Sequence, residues 1–288
     1  MPAARISFEF FPPKSLQASF RLWETVRTLA PLEPEFVSVT YGAGGATRKL
    51  THEAVTTIQK NYRLNVAAHL TCVDATRAQT LAIALTYAGA GVRDIVALRG
   101  DPPAGQAAFR AHPDVFSNTC ELIEALARTG NFNIRVAAYP DRHPNAANDH
   151  ADVDWLKRKI DAGASSAITQ FFFEAETFFR FRDRCQAAGI TAPIIPGILP
   201  IENWNGVTAF ARRCAAPVPP WLDQAFTAAL RDDRHDLLAI SVCTELCSDL
   251  IEGGVEDLHF YTLNKPSLTR EVINALGLAP DTAIKKVA

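Results

Sequence analysis

Eight short apolar runs in this 288-residue chain each end in residues that can donate, accept or carry charge. Those residues are Glu9, Thr40 with Tyr41, His69 with Thr71, Arg99 to Asp101, Tyr139, Thr169 with Gln170, Gly197 to Pro200, and Thr262 with Asn264. Stability alone would accept any turn-compatible residues at these points. An acid, a His, an Arg with an Asp, a Tyr and a Gln gathered there instead describe one shared pocket. Glu9 stands out because it interrupts the run Phe8-Glu9-Phe10-Phe11. A carboxylate desolvated beside aromatics is pushed toward its acid form and is suited to exchange a proton near neutral pH. A solvated Glu on the rim, or one paired with Arg, would be inert.

The elements that must carry these residues follow from the pattern. Strands are expected at Ile6–Phe10, Phe36–Thr40, Val66–Leu70, Ile95–Leu98, Ile134–Ala138, Ala167–Phe171, Ile194–Ile198 and Leu258–Tyr261. Several are continuously apolar, as strands covered on both faces and paired in parallel usually are. Segments with helical spacing lie between them, among them Leu16–Ala30, Arg48–Tyr62, Ala78–Ala90, Phe116–Arg128, Glu176–Ala188 and Asn203–Cys214. The long stretch before the last strand divides at Pro217-Val-Pro-Pro220 into Asn203–Cys214, a short Trp221–Ala229 helix and a long His235–Glu252 helix, and Thr269–Leu276 closes the series. Eight βα units with no Gly-, Ser- or charge-rich linker predict an α/β fold, a single-domain (β/α)8 TIM barrel over residues 1–288 with no regulatory domain.

Composition removes several function classes. Twenty-nine basic against 31 acidic residues give a net charge of −2, so no basic face is expected for nucleic acid or anionic lipid. No run approaches the roughly 20 apolar residues of a membrane helix, and the N-terminus lacks a signal-peptide core, which points to the cytoplasm. The six cysteines lack a C-x-x-C pair and read as buried or half-buried thiols. His112, His143 and His150 fall in loops without a converging ligand set, so no metal site is expected. Gly42-Ala-Gly44-Gly45-Ala-Thr47 resembles a dinucleotide loop, but its sixth position is Thr47 and the next strand, ending at His69, carries no terminal acid. Neither a Walker loop nor a G-x-S-x-G elbow occurs. Phe171-Phe172-Phe173, Phe178 and Phe179, and Phe210 on spacing alone, read as core.

The chain as a whole resembles the bacterial-type 5,10-methylenetetrahydrofolate reductases. The resemblance is carried by Ser7-Phe-Glu-Phe-Phe-Pro-Pro-Lys14, Phe36-Val-Ser-Val-Thr-Tyr-Gly-Ala43, His69-Leu-Thr-Cys72, Ile95-Val-Ala-Leu-Arg-Gly-Asp101, Ala137-Ala-Tyr-Pro140 with His143-Pro144, Thr169-Gln-Phe-Phe-Phe173, Pro196-Gly-Ile-Leu-Pro200 and His259-Phe-Tyr-Thr-Leu-Asn264. It implies a barrel holding FAD noncovalently near its C-terminal strand ends. NADH or NADPH would reduce the flavin and leave, and methylenetetrahydrofolate would then take the hydride, feeding methionine synthesis. Residue by residue, it implies Glu9 and Asp101 as catalytic acids, Glu9 protonating the nitrogen that departs as the folate ring opens. For FAD it implies Thr40, His69, Arg99, Gly100, Asp101, Tyr139, His143, Asp152 and Lys159. For the substrates it implies Gln170, Phe210 and Lys265, the last standing where close relatives carry Arg. A homodimer or homotetramer is the expected assembly.

Two other readings use the same pocket. One is a flavin-free folate-binding methyltransferase or carrier. The other is a related oxidoreductase, either passing hydride directly from NADH to folate or using a flavin to oxidise an amino acid such as proline. Arg99, His143, Asp152 and Lys159 favour the flavin, since a flavin-free enzyme has little use for that set.

Overall fold

The computed structural model describes residues 4–41, 48–72, 75–100, 114–143, 146, 148 and 150–280. In chain order the strands are β1 (Arg5–Phe10), β2 (Phe36–Val39), β3 (Val66–Thr71), β4 (Asp94–Leu98), β5 (Asn133–Ala138), β6 (Ser166–Thr169), β7 (Ile194–Ile195), β8 (Gly197–Ile198) and β9 (Asp257–Tyr261). The helices are α1 (Leu16–Leu29), α2 (Arg48–Tyr62), α3 (Arg77–Gly89), α4 (Thr119–Arg128), α5 (Ala151–Asp161), α6 (Ala175–Ala187), α7 (Trp204–Cys214), α8 (Pro220–Arg231), α9 (His235–Glu252) and α10 (Pro266–Ala275).

All the strand pairs are parallel, in the order β7-β6-β5-β4-β3-β2-β1-β9-β8. The two ends of that order are one interrupted stave. Pro196 has no N–H to give the ladder, so the single strand expected at Ile194–Ile198 divides into β7, paired with β6, and β8, paired with β9. The Pro196 carbonyl still accepts the His259 N–H at 3.0 Å. The sheet thereby closes into an eight-stave (β/α)8 barrel.

Period-2 alternation then decides what faces the axis. On β1, Ile6, Phe8 and Phe10 turn outward and are buried with Leu22, Val26 and Leu29, which α1 places at i, i+4 and i+7. Each such side chain contributes about 1.5–3 kcal/mol of burial. Ser7 and Glu9 therefore turn inward, level with Phe36 and Ser38 of β2 and with His259 and Tyr261 of β9. Lower in the barrel, Phe36, Ala67, Val96, Ile168 and Ile195 form a separate packed layer. The Arg135 guanidinium lies 3.9 Å from the Phe36 ring centroid and 2.9 Å from the Asp94 carboxylate, which plugs that end.

Side-chain caps fix several helix starts. Ser15 accepts from Ala18 N–H, Asn118 from Glu121 N–H and Asn203 from Gly206 N–H, and Thr76 with Gln79 forms a reciprocal capping box. Asn118 explains why α4 begins at Thr119 and not at Phe116. α8 reaches twelve residues because Pro219 and Pro220 start it where the absent amide costs nothing. α5 offers little apolar periodicity, since six of its eleven residues are charged.

The β9–α10 loop is held by an unusual clamp. Asn264 Oδ1 accepts the Phe11 N–H and Asn264 Nδ2 donates to the Phe11 carbonyl, both at 2.9 Å. Leu263 and Asn264 sit at φ 49° and 54°, a left-handed conformation that Asn tolerates better than most residues. Asn264→Ala removes both bonds and worsens the strain, so a loss of about 3 kcal/mol is expected in urea unfolding. A loss under about 0.5 kcal/mol would show that the clamp holds nothing.

Candidate active site

Among the described residues, three sizeable hollows lie at the C-terminal mouth of the barrel, where βα loops begin. The largest, a cleft of about 680 Å³, runs from the ends of β4 and β5 to α5. Such a volume lies within the roughly 300–1,000 Å³ of small-molecule sites. Its lining includes Arg99, Gly100, Tyr139, His143, Asp152 and Lys159, so six of the residues singled out in the sequence for a cofactor converge here. Asp152, Trp155 and Lys159 reach it from one face of α5, at i, i+3 and i+7. Gly100 has φ 83°, which a side chain rarely allows. Tyr139 and His143 meet edge to face at 4.5 Å, and the His143 N–H donates to Asp152 Oδ2 at 3.0 Å.

Lys159 is buried, and its ammonium donates to the Ala137 carbonyl at 2.7 Å. Desolvation lowers its pKa to about 8, with Cys120 and Asp152 opposing the shift. A buried ammonium with one described acceptor still has two donors to offer. With Arg99 and His143 on the same wall, the donor set suits a pyrophosphate, and Asp152 suits ribose hydroxyls.

The central hollow, about 200 Å³, borders this cleft and shares Leu98 and Ala137 with it. Glu9, His69, Gln170 and Phe210 line it together with Phe11, Phe171, Tyr261 and Leu263. Glu9 Oε2 lies 3.3 Å from His69 Nε2 and 3.5 Å from the Ser38 hydroxyl. The sequence-adjacent Phe8 and Phe10 point away from Glu9 into the helix layer, so the aromatic surroundings of Glu9 come from Phe11, just past β1, and from other staves. Gln170 is oriented by the Phe171 N–H, which donates to its Oε1 at 3.0 Å. Phe210 is not plain helix core: it is half-buried, stacks on Phe171 with centroids 5.3 Å apart and faces the hollow.

Two residues of β9 shape the floor. Burial lowers the His259 pKa to about 4, so the ring is neutral at physiological pH. Ser7 Oγ donates to the Leu258 carbonyl and lies 2.8 Å from His259 Nδ1, so Nδ1 carries the ring proton and donates to Ser7. The Tyr261 hydroxyl donates to the Thr169 carbonyl at 2.6 Å, and burial beside Glu9 keeps that phenol protonated. The Thr169 hydroxyl in turn accepts the Gly197 N–H at 2.9 Å and so carries the β6 ladder past Pro196. A Cβ on Gly197 would stand 2.2 Å from the Thr169 oxygen and 2.5 Å from the Tyr261 ring, so only glycine fits there.

The remaining candidates lie elsewhere. His69 lines the central hollow with Glu9 and not the large cleft. Thr40 lines a third, outer hollow of about 510 Å³ with Phe11, Tyr41, Leu263 and Asn264. Lys265 is exposed at the start of α10 and lines none of the three, and its charge draws down the Glu202 carboxyl that burial pushes up. Asp101, His112 and the Gly42–Thr47 loop fall outside the described residues. Reading strand ends misses Phe11, Tyr261, Leu263 and Trp155. Alternation from Glu9 through the β1–β9 register could have found Tyr261, and helical spacing from Asp152 could have found Trp155.

A closed parallel barrel whose C-terminal mouth holds a hollow lined by Glu9 and His69 beside a cation-lined cleft defines a (β/α)8 protein with a small-molecule site at its strand ends. Residues 2–277 match the family model described as methylenetetrahydrofolate reductase. The chain is 43% identical to the 5,10-methylenetetrahydrofolate reductase of Pectobacterium carotovorum over 96% of its own length and 92% of that protein. It is also 43% identical to the Escherichia coli K12 enzyme of the same name, over 96% and 91%. The chain belongs to the methylenetetrahydrofolate reductase family of enzymes. Among solved structures, a Clostridium thermocellum protein that binds two copies of 5-methyl-5,6,7,8-tetrahydrofolic acid superposes with a TM-score of 0.58 over 97% of this chain and 94% of that one. At 17% identity that likeness concerns the fold alone. Among the described residues no helix is long and apolar enough to cross a membrane.

Proposed function

We propose that this chain reduces 5,10-methylenetetrahydrofolate to 5-methyltetrahydrofolate with electrons from NADH or NADPH, using FAD held noncovalently in the large cleft. The observation that carries this reading is the junction at Leu98 and Ala137, where the cleft with buried Lys159 meets the hollow containing Glu9. A bound flavin would supply the hydride relay between nicotinamide and folate. Arg99, His143 and Lys159 would hold its pyrophosphate, and Asp152 would accept from ribose hydroxyls. Tyr139 packs beside them, and Gly100 lets the backbone approach closely.

The protein's remaining work falls on the central hollow. Gln170 orients the pterin by hydrogen bonds, and Phe210 covers the aromatic part of either substrate. Glu9 gives its proton to the nitrogen that leaves as the five-membered ring opens, which makes the one-carbon unit electrophilic. Asp101 supplies negative charge that supports the cationic folate. A flavin-free methyltransferase would leave the 680 Å³ cleft and its buried ammonium without a ligand. The same reading places the protein in the cytoplasm as a homodimer or homotetramer.

The test is optical. The purified protein is expected to be yellow, to bleach anaerobically with NADH or NADPH and to recolour with methylenetetrahydrofolate. A colourless protein that takes up no FAD on incubation would overturn the cofactor assignment.

A further inference from the structure

Two walls of the central hollow stand outside the strands: Phe210 on α7 and Leu263 in the β9–α10 loop. Both pack on one apolar cluster with Trp204 at the start of α7, Phe226 of α8 and Leu268 in the first turn of α10. That last helix begins without a cap of its own, since the Lys265 side chain at its N-cap makes no capping bond. The Leu268 N–H, at the third helical position, has no intrahelical acceptor, and the residue is buried, so the amide must find a partner elsewhere. Glu202 supplies it. This residue directly precedes Asn203, the cap of α7, and its own N–H is held by the Pro200 carbonyl at 3.0 Å. Its half-buried carboxylate accepts the Leu268 N–H, so the entries to α7 and α10 are tied by one hydrogen bond.

We propose that Glu202 is a positioning residue: by capping α10 from the threshold of α7, it holds Phe210 and Leu263 at the separation that folate binding requires. The identity of the ligand rests on the reductase reading, and the tie between the helices does not. A carboxylate suits this post because the start of α10 carries positive partial charge. Lys265 at the start of α10 and His235 at the start of α9 favour its charged form, and Asp236 opposes it. His235 pairs with Asp236 through Nδ1 at 3.0 Å and lies 5.3 Å from the Phe226 ring. Its Nε2, like Glu202 Oε1, is buried without a hydrogen-bond partner among the described residues. Burial wins, and it pushes the Glu202 carboxyl above the usual carboxylate range. As pH falls, Glu202 therefore takes up its proton before solvated carboxylates do, and a neutral acid is the weaker acceptor at a helix start. With the cap weakened, an arrangement with the two walls apart gains population. Folate binding must then restore the closed one, which raises KM by the inverse of the closed fraction and leaves kcat unchanged.

Glu202→Gln keeps the size of the side chain and removes its charge and its titration. The variant is expected to raise the methylenetetrahydrofolate KM about fivefold at neutral pH, the usual strength of a helix cap, with kcat within about twofold. The wild-type KM is expected to climb toward the variant's value between about pH 7 and about pH 5, while the variant lacks that climb. In native-state hydrogen exchange, the Leu268 amide of the variant should exchange about fivefold faster than in the wild type. Phe210→Ala, which removes the wall, is expected to make Glu202→Gln without further effect on KM. Losses that add in the double variant would overturn action through Phe210. A wild-type KM in Glu202→Gln, with its Leu268 amide released, would overturn the positioning role and leave the cap. An amide that exchanges as in the wild type would overturn the cap itself. Absence of folate turnover by the wild type would overturn the reductase reading, and the Leu268 exchange then judges the tie on its own.

Discussion

Glu9→Gln is expected to slow recolouring of the bleached protein by methylenetetrahydrofolate about 1,000-fold while leaving bleaching by NADH within about threefold of wild type. Gln keeps the size of Glu and can still meet His69 Nε2 and the Ser38 hydroxyl, the two described partners of the carboxylate at 3.3 and 3.5 Å. It lacks a transferable acidic proton, so the variant separates shape from proton supply. A loss of three powers of ten is about 4 kcal/mol in the barrier, within the ordinary contribution of a positioned acid. Nicotinamide-to-flavin transfer opens no ring and protonates no leaving nitrogen, so it has no use for this group. Stopped-flow absorbance resolves the two halves. Equal losses in both would mean that Glu9 shapes the hollow and does not deliver the proton.

Lys159→Met is expected to weaken FAD binding about 100-fold, because it removes a buried cation of the large cleft while preserving its bulk. The apo-protein should change by no more than about 1.5 kcal/mol, since losing the bond to Ala137 and relieving a desolvated charge oppose each other. The wild type carries a further signature. With the Lys159 pKa lowered to about 8 in the empty protein, the ammonium is present below that pH and an anionic cofactor meets it already charged. Above about pH 8 the lysine must first take up a proton, so affinity falls as pH rises, whereas the Met variant should be flat across that range. Equilibrium titration of apo-protein with FAD between pH 7 and 9.5 checks both. An unchanged affinity in the variant would remove Lys159 from the phosphate site.

The stave positions and the polar strand ends were legible because a parallel barrel writes continuous apolar runs and puts chemistry at the C-terminal strand ends. Glu9 and Gln170 line the central hollow from strand ends, and the α5 pair Asp152 and Lys159 lines the large cleft. What sequence could not show was how residues divide among hollows. Arg99 and His69 end neighbouring staves, yet Arg99 faces the large cleft and His69 the central hollow. That division depends on the tilt and register of the strands. Aromatic content near Glu9 was read from its chain neighbours, but alternation sends Phe8 and Phe10 outward, and Tyr261, Phe171 and Phe210 join Phe11 around the hollow from across the barrel. Pro196 was visible as a letter, whereas its effect on barrel closure needed the pairings on both sides.

The interrupted stave also limits how this catalyst can be remodelled. Where Pro196 removes an amide, Thr169, Gly197 and Tyr261 stitch the cylinder shut with side-chain bonds, and those atoms form or border the wall of the central hollow. Trimming Tyr261 to admit a bulkier substrate would unpick the seam that keeps the barrel round. Phe210 stands on α7, outside the ladder, and can change size without touching that seam. Diversification of substrate range is therefore expected to proceed from the helix side of the pocket, with the β9 side held constant by the demands of closure.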